Sequence, residues 1–147
     1  MLEEYRELID LLAQTPTKLK EAAAQAGDPP DGEWNAAQVI GHLAAVEYFF
    51  LDWINRMTRE NEPYFSSFGE EAQARQETMM NNDVATNLAA FNELRGETVS
   101  NLMSLALNMW ERIGHHPGGS VSVESLVESM IDHDADHIQQ IEALATS

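Results

Sequence analysis

Two histidines one helical turn apart, His133 and His137 in the run Asp-His-Asp-Ala-Asp-His, are the residues best placed to do chemistry in this sequence. On a helix, positions i and i+4 share a face about 5–6 Å apart at Cβ, so two imidazoles there can converge on one metal ion. The same face carries Leu126, Met130, Ile141 and Leu144, which directs both rings into a core rather than into water. One inward histidine reads first as a core residue with satisfied ring nitrogens. Two in one stripe, in a chain with no cysteine, point to a metal, with paired structural histidines as the alternative. His42 lies between Val39 and Val46 on a different apolar stripe. Alone it reads as a buried histidine bonded to a carbonyl or carboxylate; with the pair it completes a set of three. Three neutral imidazoles leave coordination positions open for water or substrate, the catalytic rather than the closed structural arrangement. Zinc, nickel, iron and copper all suit imidazole, so the donor set leaves the metal open.

Other polar residues carry weaker signals. His133-Asp-Ala-Asp-His137 mimics the H-E-x-x-H of metalloproteases with Asp134 in place of the glutamate base, but Asp is one methylene short and no further zincin signature follows. Asp134 and Asp136 are expected either on the solvated acidic face or accepting a hydrogen bond from the far nitrogen of a ligand histidine. Asp132 and Glu47 read as surface residues or as supports behind the ligands. His115 and His116 fall in a Pro/Gly loop and read as a solvated turn, with a pocket rim as the alternative. There is no G-x-S-x-G elbow, P-loop, G-x-G-x-x-G after a strand or EF-hand loop, and no repeated Glu-x-x-His of a di-iron bundle.

The elements that must position these residues are helices. Apolar residues recur at steps of three and four near the start, through Leu2, Tyr5, Ile9, Leu12, Leu19, Ala23 and Ala26. Pro16 is expected to kink or restart that helix with Thr15 as a local cap. A second helix opens at Asn35 with Gln38 as its capping-box partner and follows Val39, His42, Val46, Phe49 and Trp53. The stretch from Thr58 to Asn82 is polar and long for a compact domain, so it reads as a crossover or functional loop, with EEAQARQETMM as a short helix inside it. Asp83 caps a third helix whose stripe, Val84, Leu88, Phe91, Thr98, Leu102, Leu105 and Met109, runs towards Ile113. HHPGGS breaks it, and Ser122 caps the fourth. A short SVSV is the only strand-like alternation. Four amphipathic helices with one long connection imply a helix bundle. The aromatics Trp34, Trp53 and Trp110 read as core, with Trp34 at the mouth of the second helix.

Composition bounds the rest. The chain has 147 residues, expected to form one domain over 1–147, with 44% hydrophobic residues, enough for a core. Eight basic against twenty-five acidic residues give a net charge of −17. Nucleic acid and anionic membrane surfaces are therefore excluded as partners, since both need a basic stripe. No apolar run reaches the about 18 residues of a span, and MLEEYRELID lacks the pattern of a signal peptide, so a cytoplasmic chain is expected. Absence of cysteine removes a thiolate nucleophile, a Cys-ligated zinc and an iron–sulfur cluster.

EWNAAQVIGHLAAVEYFF, with Trp34 before the cap and His42 in Gly-His-Leu, resembles the second-helix motif of the DinB/YfiT-like superfamily of metalloenzymes. GHHPGGSVSVESLVESMIDHDADHIQQIEAL resembles that family's closing segment, a Gly-containing turn followed by H-x-x-x-H and Gln-Ile. The resemblance runs over essentially the whole chain, though only these two segments are specific. It implies an all-α, four-helix bundle in up-down-down-up order, with the long connection between the second and third helices. It also implies a divalent metal on His42, His133 and His137, and a homodimer. Better-characterised members are thiol-dependent, which implies an S-transferase or related enzyme acting on small electrophiles with a low-molecular-weight thiol such as bacillithiol, mycothiol or glutathione.

The expectation is thus a metal-dependent enzyme with a small-molecule substrate, in which the ion lowers the pKa of a bound thiol or water. The rivals are a non-catalytic metal-binding stress-response bundle and a metal-assisted hydrolase. The acidic shell favours capture of a cation over anionic substrates, so Arg56 and Arg112 become candidates for a basic mouth. Any sulfur chemistry must arrive with the substrate.

Overall fold

The computed structural model describes residues 2–66 and 69–145. Its elements are α1 (Glu3–Gln25), α2 (Ala36–Arg59), α3 (Glu70–Met80), α4 (Val84–Met103), a 3-10 turn (Leu107–Glu111), β1 (Ile113–His116), β2 (Gly119–Ser122) and α5 (Val123–Glu142). Three of the four expected caps are in place. Asn35 and Gln38 close a capping box at 2.8 Å in both directions, Asp83 accepts from the Thr86 N–H, and Ser122 pairs with Ser125.

α1, α2, α4 and α5 make the bundle, with α4 and α5 each packed on both α1 and α2. Contacts along the helices fix their directions. Asn87 donates to the Ala37 carbonyl near the starts of α4 and α2, and Asn101 donates to Asn55 near their ends, so these two helices run the same way. Thr15 meets Asp134 midway along α1 and α5, and Ala26 bridges Ala145 just past their ends, so that pair is parallel too. The start of α1 shares an apolar cluster with the end of α2, through Tyr5 and Ile9 with Ile54 and Met57, and the end of α1 with the start of α2, through Leu19 and Ala22 with Val39 and Ile40. The two pairs therefore run oppositely and the order is up, down, down, up. A parallel α2–α4 pair requires a crossover, and α3 is that crossover's return helix, packed along α2. Gly41 allows the close seat: a Cβ there would stand 2.7 Å from the Met79 carbonyl oxygen. Residues 67 and 68 of the expected linker lie outside the described residues.

Three expectations need correction. Pro16 does not restart α1, and Thr15 caps nothing; the helix is continuous and Thr15 is buried within it. What Pro16 does is leave the Leu12 carbonyl without its i+4 N–H donor, and Arg95 Nη1 takes that acceptor at 3.0 Å. The third helix ends at Met103 instead of running to Ile113, because the 3-10 turn delivers Trp110 to full burial, stacked on Tyr5 at 4.3 Å. Nor is the chain strictly all-α: β1 and β2 pair antiparallel from Ile113↔Ser122 to His116↔Gly119, turning through Pro117 and Gly118, and Gly119 takes φ +132° where the chain re-enters the pairing. The hairpin secures the start of the crossover, since Phe65 N–H donates to the His115 carbonyl and His115 N–H to that of Pro63. Among the described residues no helix is long and apolar enough to cross a membrane.

The core divides into two apolar clusters. One contains Leu12, Ile54, Leu102, Trp110 and Met130; the other contains Leu19, Leu43, Phe91 and Ile141. Between them, every bundle helix contributes a buried polar residue: Thr15 from α1, Glu47 from α2, Arg95 and Thr98 from α4, Asp134 from α5. Arg95 bonds Glu47 through Nε and Nη2 at 2.8 Å each, and Asp134 through Nη1 at 2.7 Å and Nη2 at 3.0 Å. With Leu12 these are five hydrogen bonds, matching the five N–H donors of a guanidinium. Thr98 donates to Glu47 at 2.8 Å and Thr15 to Asp134 at 2.7 Å. Burial alone would push the Arg95 guanidinium down; Glu47 and then Asp134 more than reverse this and hold it above its ordinary range.

Candidate metal centre

His42 comes from the second turn of α2, and His133 and His137 from consecutive turns of α5. Because α2 and α5 pack together, the three half-buried rings meet. His133 Nε2 stands 3.3 Å from His42 Nε2 and 3.1 Å from His137 Nε2, and all three ligand atoms lie within 4.8 Å of one another. A tetrahedral ion with metal–nitrogen bonds of about 2.0–2.1 Å holds its nitrogens about 3.3–3.4 Å apart, so the two separations from His133 stand close to the required spacing and the third lies within 4.8 Å. No fourth His, Cys, Asp or Glu joins the group among the described residues.

The far nitrogens explain why the near ones point inward. His42 Nδ1 donates to Gln76 Oε1 at 2.8 Å, and His137 Nδ1 donates to Gln140 Oε1 at 2.8 Å. Each bond places that ring's proton on Nδ1 and leaves the Nε2 lone pair facing the centre. Trp34 packs 5.3 Å from the His42 ring, as its place before the cap suggests, and Phe50 meets His133 edge-on at 6.1 Å. Both partners of the far nitrogens are thus amides, and neither Asp134 nor Asp136, the carboxylates weighed for that role, takes it. Gln76 lies on α3, which has no apolar stripe to reveal its docking, and Gln140 follows His137 by three residues. Replacing Gln76 with Leu is expected to weaken metal binding about 10–100-fold, read by competition with a chelator. Unchanged affinity would mean that α3 does not orient His42.

Crowding also sets the protonation state. Burial, then the neighbouring His137 and His42 rings, depress His133 from the ordinary 6.5 to about 4. His42 is lowered by burial, with the Gln76 bond opposing and His137 adding to the shift. Between about pH 6.5 and 4 the folded metal-free protein therefore binds fewer protons at these rings than the unfolded chain does, and its stability falls as pH falls through that window. Urea denaturation of metal-free protein from pH 7 to 4 checks this. The decline should be shallower in His133→Gln, and equal slopes would contradict the depression.

The remaining candidates lie elsewhere. Asp134 and Glu47 are 4% and 1% exposed and are held by Arg95; neither lies on a solvated face or bonds a ligand histidine. Asp136 and Asp132 are exposed. His115 bonds Glu62 at 2.9 Å in the hairpin, and His116 packs near Trp53. Arg56 pairs with Glu60, and Arg112 donates to the Glu60 carbonyl, near the end of α2 remote from His42, so neither forms a basic mouth. Sequence reasoning missed Arg95, yet its position between Phe91 and Thr98 in the α4 stripe was the available signal.

A cleft of about 510 Å³ between α2 and α3 opens onto His42 and His133. A larger groove of about 960 Å³ between α1 and α5 lies on the opposite face of α5 and includes none of the three histidines.

No curated protein matches the chain. Among solved structures, YfiT from Bacillus subtilis, described as a probable metal-dependent hydrolase with an unusual four-helix bundle topology, superposes with a TM-score of 0.83. It is 25% identical over 98% of this chain and 87% of its own. Residues 2–141 match the profile of the DinB superfamily. With two His-bearing helices converging from a bundle of the YfiT kind, and nearly the full length matched, this chain belongs to the DinB superfamily.

Proposed function

We propose that this protein is a metal-dependent hydrolase whose divalent ion is held by His42, His133 and His137. The observation that carries the reading is the convergence of three imidazoles, with the His133 Nε2 at 3.3 Å and 3.1 Å from the other two, beside an open cleft. Likeness to YfiT, described as a probable metal-dependent hydrolase, supports hydrolysis over other metal-assisted reactions. The absence of a fourth protein ligand among the described residues, together with the cleft, favours a catalytic over a sealed structural centre.

When bound, such an ion supplies Lewis acidity, which polarises a carbonyl or lowers the pKa of water. The chain's own residues orient and shield. Gln76 and Gln140 hold the Nδ1 protons of His42 and His137 and so fix both tautomers. Phe49, Phe50 and Val46 wall the cleft with apolar surface, which strengthens electrostatic interactions beside the imidazoles. No carboxylate lines the cleft among the described residues, so no side-chain general base is assigned.

The test is hydrolysis of a panel of neutral esters, amides and lactones by protein loaded in turn with zinc, nickel and iron. Metal-dependent turnover that is lost in His42→Ala supports the reading. Conjugation of electrophiles with bacillithiol, mycothiol or glutathione, without hydrolysis, would replace it with the S-transferase. Metal binding with neither reaction would leave the binding-bundle rival.

A further inference from the structure

The walls of the cleft carry more information than the histidines at its end. Ala45, Val46, Phe49 and Phe50 form one side and Ala72 belongs to the other, with Gln73 and Gln76 as polar residues beside the two imidazoles. Among the described residues no Lys, Arg, Asp or Glu lines it. The nearby cation, Arg75, instead sits 3.6 Å over the Tyr48 ring and lines a separate, smaller cavity with Glu93 and Glu97.

These observations point one way. An anionic group along the cleft walls would find no Lys or Arg to pair with, and only the ion at the histidine end as countercharge, inside a chain of net charge −17. A cationic group would find no carboxylate and would face the bound ion. An uncharged, apolar group would bury surface against the Ala, Val and Phe side chains. The cleft's 510 Å³ falls within the about 300–1,000 Å³ of small-molecule sites. Gln76 has its Oε1 committed to His42, so its amide NH₂ can donate to a carbonyl or ether oxygen.

We propose that the cleft between α2 and α3 selects an uncharged, mainly apolar small molecule, such as a neutral ester or amide, and directs its polar head to the three histidines. This rests on the hydrolase reading for the role of the head, while the choice of an uncharged body rests on the cleft walls alone. It also makes the peptide-like anionic thiols poor occupants of this cleft.

The test titrates hexanamide, hexanoate and hexylammonium into ¹⁵N-labelled protein, metal-free and zinc-loaded, and follows amide shifts. In metal-free protein hexanamide is expected to bind at least about tenfold tighter than either charged analogue, with shifts centred on Val46, Phe49 and Ala72. Ala72→Trp, which fills the cleft, should weaken hexanamide at least about tenfold while zinc affinity is kept. Val46→Lys should reverse the preference towards hexanoate, a gain that an unfolded variant cannot give. Equal binding of the three compounds to metal-free protein, or hexanamide binding insensitive to Ala72→Trp, would overturn the inference. Hexanamide preference without zinc binding would sink the hydrolase reading and leave the selectivity standing. Zinc binding without the preference would do the reverse.

Discussion

Arg95→Ala is expected to cost about 3–5 kcal/mol of folding stability, a large share of the about 5–15 kcal/mol that holds a domain of this kind together. Arg95 is 2% exposed and spends all five N–H donors on Glu47, Asp134 and the Leu12 carbonyl. Removing it leaves two buried carboxylates facing each other without a cation, and a carbonyl that Pro16 cannot serve. Breaking such a pair costs far more than the intact pair contributes, because the penalty comes from the orphaned charges. Urea denaturation at pH 7 reads the loss, and a change below about 1 kcal/mol would contradict the account. Combining Arg95→Met with Glu47→Gln and Asp134→Asn should recover much of the stability, since no uncompensated charge then remains. The cluster joins all four bundle helices at one level, so its larger effect is on register: it aligns α2 with α5, and thereby His42 with His133 and His137.

His133→Ala is the second large effect. Its Nε2 lies between the other two, at 3.3 Å and 3.1 Å, so its loss leaves a two-imidazole remnant. Metal affinity should fall by more than the about 10–100-fold expected for Gln76→Leu, which removes only an outer hydrogen bond. The helical circular dichroism of the metal-free variant should persist, because His133 is half-exposed and outside both apolar clusters. Tight chelator-resistant metal in this variant would place the ion elsewhere.

Periodicity made the helices and the three histidines legible, because apolar burial dictates both. The caps at Asn35, Asp83 and Ser122 were legible for the same local reason: their side chains bond N–H groups three residues on. Residues governed by long-range partners were not. Pro16 read as a kink or restart because its missing donor is visible in sequence, whereas the guanidinium that takes the orphaned Leu12 carbonyl belongs to a residue 83 positions further along the chain. Asp134 and Glu47 read as surface acids or as supports of the ligand histidines because their cation lies on a third helix. Gln76 was invisible because α3 has no apolar stripe and docks where Gly41 lacks a side chain. The end of α4 was misplaced since Leu105 and Met109 keep helical spacing past the point where Trp110 turns into the core.

X-ray absorption of the zinc-loaded protein tests the central claim most directly. Three imidazole nitrogens at about 2.0–2.1 Å, completed by oxygen from solvent, are the predicted environment. Fewer than two imidazoles, or a shell of oxygens alone, would contradict a metal centre built by His42, His133 and His137.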